Sequence, residues 1–149
     1  YQEYKPSIEK LNGYKKALKE AGIPFKEEYV KYGDYHVNGG ERNIKELMTL
    51  DEPPTAAFTA NDLMAMGAIK ALKGLGYRVP ADVSVIGFDD IMMNEYTIPN
   101  LTSVRQEMTA QGQLAVQILH QLFTGEKKPK KKYTIEPVLS KRDSCRRLI

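Results

Sequence analysis

Two polar side chains stand where two predicted strands end. Asn61 follows the nearly all-apolar residues 56–60, and Asp89 follows the apolar residues 83–88. A carboxylate can accept two hydrogen bonds from neighbouring hydroxyls of a sugar or another polyol, and an amide can donate one and accept one. Asp89 suits the first role and Asn61 the second. The competing interpretation is structural, with Asn61 capping a helix and Asp89 lying in a turn.

The elements on either side determine whether these two residues meet. The two apolar runs are typical of strands that helices cover on both faces. Between them, residues 63–75 show helical spacing, and Gly76 and Pro80 end the predicted helix. A strand, crossover helix and second strand nearly always form a right-handed parallel unit. Asn61 and Asp89 are therefore expected at one sheet edge, where open α/β folds bind ligands.

The rest of the chain continues this alternation. Periodicity predicts helices at 8–21, from 38 to the prolines at 53 and 54, and at 109–124, and strands at 29–32, 101–105 and 133–139. Asn38 with Glu41 fits a capping-box variant at the start of the second helix, and Tyr35 follows the strand predicted at 29–32. The predicted fold is an α/β doubly wound parallel sheet with helices on both faces.

Composition favours a single globular domain. The 149 residues are 28% charged and 42% hydrophobic, which is ordinary for such a domain. The single Cys145 excludes an internal disulfide and fits a reducing compartment. No apolar run reaches the ~20 residues of a membrane span and no cleavable signal opens the sequence, so a cytoplasmic protein without membrane contact is expected.

Most of the net charge of +3 comes from lysines in 127–132. Because no aromatic residue interleaves with them, a solvated turn is favoured over a nucleic-acid or anionic-membrane site.

Catalysis has little support. Four carboxylates are candidates for an acid–base pair, namely Asp34, Asp62, Asp89 and Asp90. No neighbouring residue supplies the water or nucleophile geometry that glycoside hydrolysis needs. His36 and His120 are too few and too far apart for a metal site, and no glycine loop has phosphate-binding spacing. Neither a cofactor nor a metal is expected.

Five motifs in a fixed order carry a family resemblance. They are LNGYKKALKEAGI at 11–23, GDY at 33–35, PTAAFTANDLMAMGAIKALKGLGYRVPADVSVIGFDD at 54–90, LTSVRQ at 101–106 and IEPVLSKRDS at 135–144. With these motifs the chain closely resembles the effector-binding region of LacI/GalR-type bacterial transcription regulators, whose core is similar to periplasmic sugar-binding proteins. The motifs span nearly the whole chain, and the central one is the most specific.

The resemblance implies one lobe of a two-lobed sensor. Residues 1–149 match the C-terminal lobe, while the DNA-binding domain and most of the first lobe fall outside the sequence. The helix at 107–125 matches one that packs on the first lobe in the family. The implied function is sensing of a small effector, a sugar or a similar metabolite, with operator DNA bound only through an N-terminal domain. A sugar-binding protein of a transport system, and an α/β enzyme that uses the edge carboxylates, are the alternatives.

The resemblance also assigns residues. Asn61 and Asp89 match positions that contact effector, and Tyr35 matches one where an aromatic ring stacks on a flat ligand face. Lys10 stands where family members commonly carry an arginine; a lysine offers a point charge instead of a planar fork. It can equally be one of many solvated lysines.

A homodimer contact is implied as well. Four residues match parts of the family's subunit interface, namely Met66, Met92, Met93 and Tyr96. Methionine suits such surfaces because its side chain adapts its shape. For Met64 the expectation is core packing.

Overall fold

The computed structural model describes residues 4–125 and 132–147. The helices are α1 (Lys5–Glu20), α2 (Val37–Leu47), α3 (Asp62–Gly74) and α4 (Met108–Thr124), and the strands are β1 (Ala56–Phe58), β2 (Ser84–Asp89), β3 (Thr102–Arg105) and β4 (Val138–Ser140). Short 3-10 helices span Glu27–Tyr29 and Met92–Tyr96. The α/β class is confirmed. The sheet order is β1-β2-β3-β4, with the first three strands parallel and β4 antiparallel to β3.

The predicted strand, helix and strand unit forms as expected. β1 pairs with β2 in parallel, with Phe58 opposite Ile86, and the Thr59 N–H continues the ladder by donating to the Ile86 carbonyl at 3.0 Å. α3 connects the two strands. Its N-cap is Asn61, and Gly76 beyond its end has the left-handed φ of 86° that a glycine accommodates. The carboxyl ends of β1 and β2 consequently meet at one edge.

The core lies where α3 packs on α2 and on β2. Its buried apolar members are Ile44, Leu47, Ala65, Ala68, Ile69, Ala71, Leu72, Val83, Val85 and Leu101. The two helices approach so closely that glycine is required at the contact. A Cβ on Gly40 would overlap the Met64 carbonyl, and a Cβ on Gly67 would overlap the Val37 carbonyl. Met64 is buried beside this contact, as predicted.

Several elements differ from the sequence prediction, and α2 in particular ends at Leu47, before the predicted end at the prolines at 53 and 54. Residues 29–32 do not form a strand, because the Val30 N–H bonds back to the Glu27 carbonyl at 2.9 Å and closes a turn. α2 is capped at His36 and not at Asn38, since Asp34 accepts the His36 N–H at 3.0 Å and ends the loop two residues earlier. The last strand is shorter than 133–139 because Pro137 has no N–H for the ladder.

α4 contacts the rest of the described chain very little. None of its residues is buried, and Phe123 is 88% exposed. Val116, Leu119 and Leu122 are exposed too, so an apolar face is left uncovered by the residues that the structure describes. Gly125 ends the helix with a φ of 69°, as predicted. The lysine-rich stretch lies outside the described residues except for Lys132.

The glycine contact between α2 and α3 yields a matched test. Gly67→Ala forces a methyl group against the Val37 backbone, and overpacking of this kind costs about 1–3 kcal/mol of unfolding free energy. Gly74→Ala, in the same helix, meets nothing within 4 Å. It should stabilise by about 0.5–1 kcal/mol through helix propensity. Urea unfolding followed by circular dichroism measures both; equal effects of the two variants would contradict the close approach.

Candidate ligand-binding edge

The carboxyl edge of the sheet brings the predicted polar residues together. Asn61 follows β1 and Asp89 ends β2, and the parallel pairing places both at this edge. Tyr35 lies on a loop and not at the end of a strand. The Asn61 side-chain amide nitrogen donates to the backbone carbonyl of Tyr35 at 2.9 Å. The Lys10 ammonium donates to the Ala60 carbonyl at 2.8 Å. We call this edge the rim and define it by Lys10, Tyr35, Asn61, Asp89 and Gln106.

Asn61 has structural duties at the rim. Its side-chain oxygen accepts from the Met64 N–H at 3.0 Å and caps α3, while its amide nitrogen holds the Tyr35 carbonyl. The predicted helix cap is thus confirmed. A primary amide has two N–H groups and two lone pairs, so one donor and one acceptor position remain for a ligand. Capping and ligand contact are therefore compatible at this residue.

Asp89 is held by its backbone and by one neighbour. Its φ of 104° and the φ of 55° at Asp90 place both residues in the left-handed region, which non-glycine residues rarely adopt. Such conformations cost about 1–3 kcal/mol each and collect at functional sites. The Gln106 amide donates to one Asp89 carboxylate oxygen at 2.8 Å. Gln106 lies in a recognised motif, but the sequence analysis did not select it as a site residue.

Lys10 is a half-buried cation. Its ammonium lies 3.9 Å from the centre of the Phe88 ring, in addition to its bond to Ala60. Burial lowers the pKa of Lys10 below its ordinary value, and the negative charge of Asp89 opposes part of that shift. Lys10 is therefore not one of the fully solvated lysines of α1. It carries a positive charge into the rim.

Tyr35 belongs to an aromatic pair that the sequence did not reveal. Its φ is 65°, its hydroxyl lies 2.6 Å from the Ser7 hydroxyl, and its ring meets the Tyr4 ring edge to face at 6.1 Å. Tyr4 and Ser7 sit near the start of α1, far from Tyr35 in sequence. A motif search centred on strand ends has no means of finding them.

A cavity of about 230 Å³ extends from the rim beneath α1. Of the rim residues, Lys10 and Tyr35 line this cavity, together with Tyr14 and Leu47, whereas Asn61, Asp89 and Gln106 do not. Small-molecule sites usually occupy about 300–1,000 Å³. The cavity is thus smaller than that range, and only part of the rim borders it.

Asp90 faces away from this cavity into a buried ion pair. Arg142 donates to one of its carboxylate oxygens at 2.6 Å and the Ser140 hydroxyl donates to the other at 2.6 Å. Burial raises the pKa of Asp90, but the hydrogen bonds from Ser140, Arg142 and Asn94 and the charge of Arg142 together outweigh it and hold the pKa below its usual range. The pair fastens the C-terminal segment to the end of β2. Of the two adjacent aspartates, only Asp90 belongs to this ion pair.

The predicted interface residues lie on a different surface. Met92 and Tyr96, on the 3-10 helix after β2, are 76% and 77% exposed, and Met93 is exposed as well. Met66, on α3, is partly buried. We call these four residues the methionine surface. Within 4–125 and 132–147, no cluster of His, Cys, Asp and Glu is suited to a metal ion, and no helix has the length and apolarity needed to cross a membrane.

The charge arrangement at the rim is testable by titration. Asp89→Asn removes the negative charge that raises the pKa of Lys10, while the burial that lowers it remains. The pKa of Lys10 should therefore fall further, as measured by NMR of its side-chain carbons. Asp51→Asn, at an exposed position after α2, is the control and should leave it unchanged. An unchanged pKa in Asp89→Asn would show that the two side chains do not interact.

Comparisons with known proteins agree with the fold. A family model for periplasmic binding protein-like domains matches residues 2–145. The chain is 40% identical over 132 residues to the HTH-type transcriptional repressor PurR of Photorhabdus laumondii, covering 89% of this chain and 39% of that protein. It is 39% identical over 145 residues to the probable HTH-type transcriptional repressor ExuR of Bacillus subtilis, covering 97% and 44%. The chain thus spans less than half the length of these relatives.

The solved structures that resemble this chain are also transcriptional regulators. A sugar-binding transcriptional regulator of the LacI family from Escherichia coli, complexed with phosphate, superposes with a TM-score of 0.89 at 36% identity over 97% of this chain and 51% of that one. A complex of the transcriptional regulator CelR with cellobiose gives 0.84 at 36% identity over 92% and 42%. The chain therefore belongs to the family of periplasmic binding protein-like domains, and it matches the effector-binding region of LacI/GalR-type transcription regulators.

Proposed function

We propose that this chain is the effector-sensing lobe of a LacI/GalR-type transcription regulator and that the rim is its share of the effector site. The observation that carries the proposal is the convergence of Lys10, Tyr35, Asn61 and Asp89 at the carboxyl edge of a parallel sheet. The named relatives are transcriptional repressors, which favours sensing over turnover or transport. In this role the protein uses no cofactor and acts in the cytoplasm, where operator DNA is found.

The rim chemistry favours a sugar or a similar polyhydroxy compound. Asp89 offers carboxylate oxygens, Asn61 retains one donor and one acceptor, and the ring of Tyr35 provides a flat surface. Lys10 adds a donor with a positive charge. One similar structure contains cellobiose, a disaccharide, which is consistent with this ligand class.

We further propose that residues 1–149 supply only one side of the site. The cavity is smaller than a typical ligand pocket, and the apolar face of α4 is uncovered among the described residues. In the complete regulator, a second lobe would close over the rim and cover the helix at 107–125, and an N-terminal domain would bind operator DNA. Effector binding between the lobes would then bias their relative pose.

The ligand proposal predicts weak but localised binding by this chain. Glucose, ribose, glucuronate and cellobiose, each added up to about 50 mM to the 15N-labelled chain, should include a compound that binds with a Kd on the order of 1 mM or weaker. Its shifts in NMR spectra should centre on Tyr35, Asn61 and Asp89. Asp89→Asn should abolish them, and Asp51→Asn should not.

Three results would contradict this proposal. The first is a flat response to all four compounds at the rim. The second is micromolar affinity for any of them, because a single lobe would then hold a complete site. Shifts centred away from the rim would likewise show that the ligand site lies elsewhere.

We propose that the methionine surface is a homodimer contact. Met92, Met93 and Tyr96 project from one short 3-10 helix with more than half of each side chain exposed. Met66 lies one helical turn after Asp62, whose side chain contacts that segment. Exposed apolar groups clustered in this way are typical of protein interfaces.

The dimer proposal is tested by two matched double variants. Met92→Ser with Met93→Ser should convert a dimer into a monomer in sedimentation velocity across a concentration series, because it removes the apolar groups that a partner would bury. Leu119→Ser with Phe123→Ser changes equally exposed residues of α4 and should leave the dimer intact. A monomeric parent chain, or a dimer lost only in the α4 variant, would contradict the proposed contact.

A further inference from the structure

Asp62 is a buried carboxylate that the proposed ligand site does not use. Only 1% of the residue is exposed. One of its oxygens accepts from the Ile91 N–H at 2.9 Å and from the Asn94 side-chain amide at 2.8 Å. The other accepts from the Ser103 hydroxyl at 2.6 Å. None of the ion pairs among the described residues includes Asp62, so hydrogen bonds compensate its burial.

The surroundings of Asp62 are built for a carboxylate. Removing a charged group from water is costly unless it is hydrogen-bonded, and three donors meet this one. Asp62 also opens α3, where the positive end of the helix dipole favours a negative charge. A Cβ on Gly87 would overlap an Asp62 oxygen, so the carboxylate rests directly on the backbone of β2. These features fix its position closely.

The hydrogen bonds around Asp62 form a network with two branches, which we call arms. The first arm reaches the rim. The Ser103 hydroxyl, which donates to Asp62, accepts the Asp90 N–H at 3.1 Å. Asp90 is the second residue of the left-handed bend that begins at Asp89. The direction in which Asp89 presents its carboxylate is therefore tied, through Ser103, to Asp62.

A second arm reaches the methionine surface. The Ile91 N–H and the Asn94 amide bind Asp62 from the segment that carries Met92, Met93 and Tyr96. Asn94 is fully buried, and its backbone carbonyl accepts the Leu101 N–H at 3.0 Å. The segment that carries these exposed apolar side chains is thus hydrogen-bonded to the same carboxylate.

We propose that Asp62 is a positioning residue that anchors the rim through one carboxylate oxygen and the methionine surface through the other. Its oxygen toward Ser103 fixes the bend at Asp89, and its oxygen toward Asn94 fixes the exposed turn. A ligand at the rim would change the methionine surface through Asp62, and this part of the proposal rests on the proposed function. The positioning role itself needs no ligand, and it can be tested without one.

Single-arm variants separate the two connections. Ser103→Ala removes the link to Asp90 and should raise amide hydrogen exchange at Asp90 by about fivefold to tenfold. It should also lower the pKa of Lys10, because Asp89 is no longer held near it, and leave the amides of 92–96 unchanged. Asn94→Ala should affect only the other region. It should speed amide exchange in 92–96 and leave the pKa of Lys10 as in the parent chain.

Asp62→Ala should show both effects at once, since all three donors lose their acceptor. Val83→Ala, which truncates a core residue outside the network, is the control for lost stability. It should raise exchange throughout the sheet without moving the pKa of Lys10. If Asp62→Ala does not fold, the two single-arm variants decide the matter.

The proposal is overturned if Ser103→Ala and Asn94→Ala disturb both regions alike, or if neither disturbs its own. Whichever of glucose, ribose, glucuronate and cellobiose shifts the rim residues of the parent chain is then added to the parent chain and to Asn94→Ala. Changes in 92–96 in the parent that are absent from the variant support coupling, whereas identical changes in both contradict it. Failure of the parent to bind any of the four sugars refutes the proposed function and leaves the positioning result standing.

Discussion

The parallel pairing of β1 with β2 across α3 is the constraint on which the rest of the structure depends. With Phe58 opposite Ile86, the residues that leave both strands must emerge at the same edge. α3 then has to start beside the end of β2, which brings its first residue, Asp62, within hydrogen-bond reach of the segments that follow Asp89. Neither the rim nor the network beneath it could form if the two strands ran in opposite directions.

At the rim, structural roles and the proposed ligand contacts fall on the same residues. Asn61 caps α3 and holds the Tyr35 loop, yet its amide keeps one free donor and one free acceptor position. Asp89 adopts a backbone conformation that costs free energy, and Gln106 and the Asp62 network hold it there. Under the proposed function, rim side chains that are already held in this way would lose little binding energy to ordering.

The sequence predicts what depends on local order and misses what depends on distant partners. The central strand, helix and strand unit, the cap at Asn61 and the ends at Gly76 and Gly125 follow from spacing and backbone preference. The strand expected at 29–32 rested on only four alternating residues, and a local turn replaces it. Ser103 and Arg142 bind partners 41 and 52 residues away, respectively, so no local pattern could reveal either contact.

The uncovered surfaces explain why sensing and assembly would be linked in such a lobe. Fully burying a large apolar side chain contributes about 1.5–3 kcal/mol, and both α4 and the methionine surface expose several. Whatever covers these surfaces therefore stabilises the lobe by an amount comparable to a large share of its folding free energy. A ligand that shifts the turn bearing Met92 has to change only a small part of that energy to alter assembly, because a difference of 1.4 kcal/mol is already about a tenfold change in an equilibrium constant. Asp62 lies at the point where such a small displacement would be transmitted.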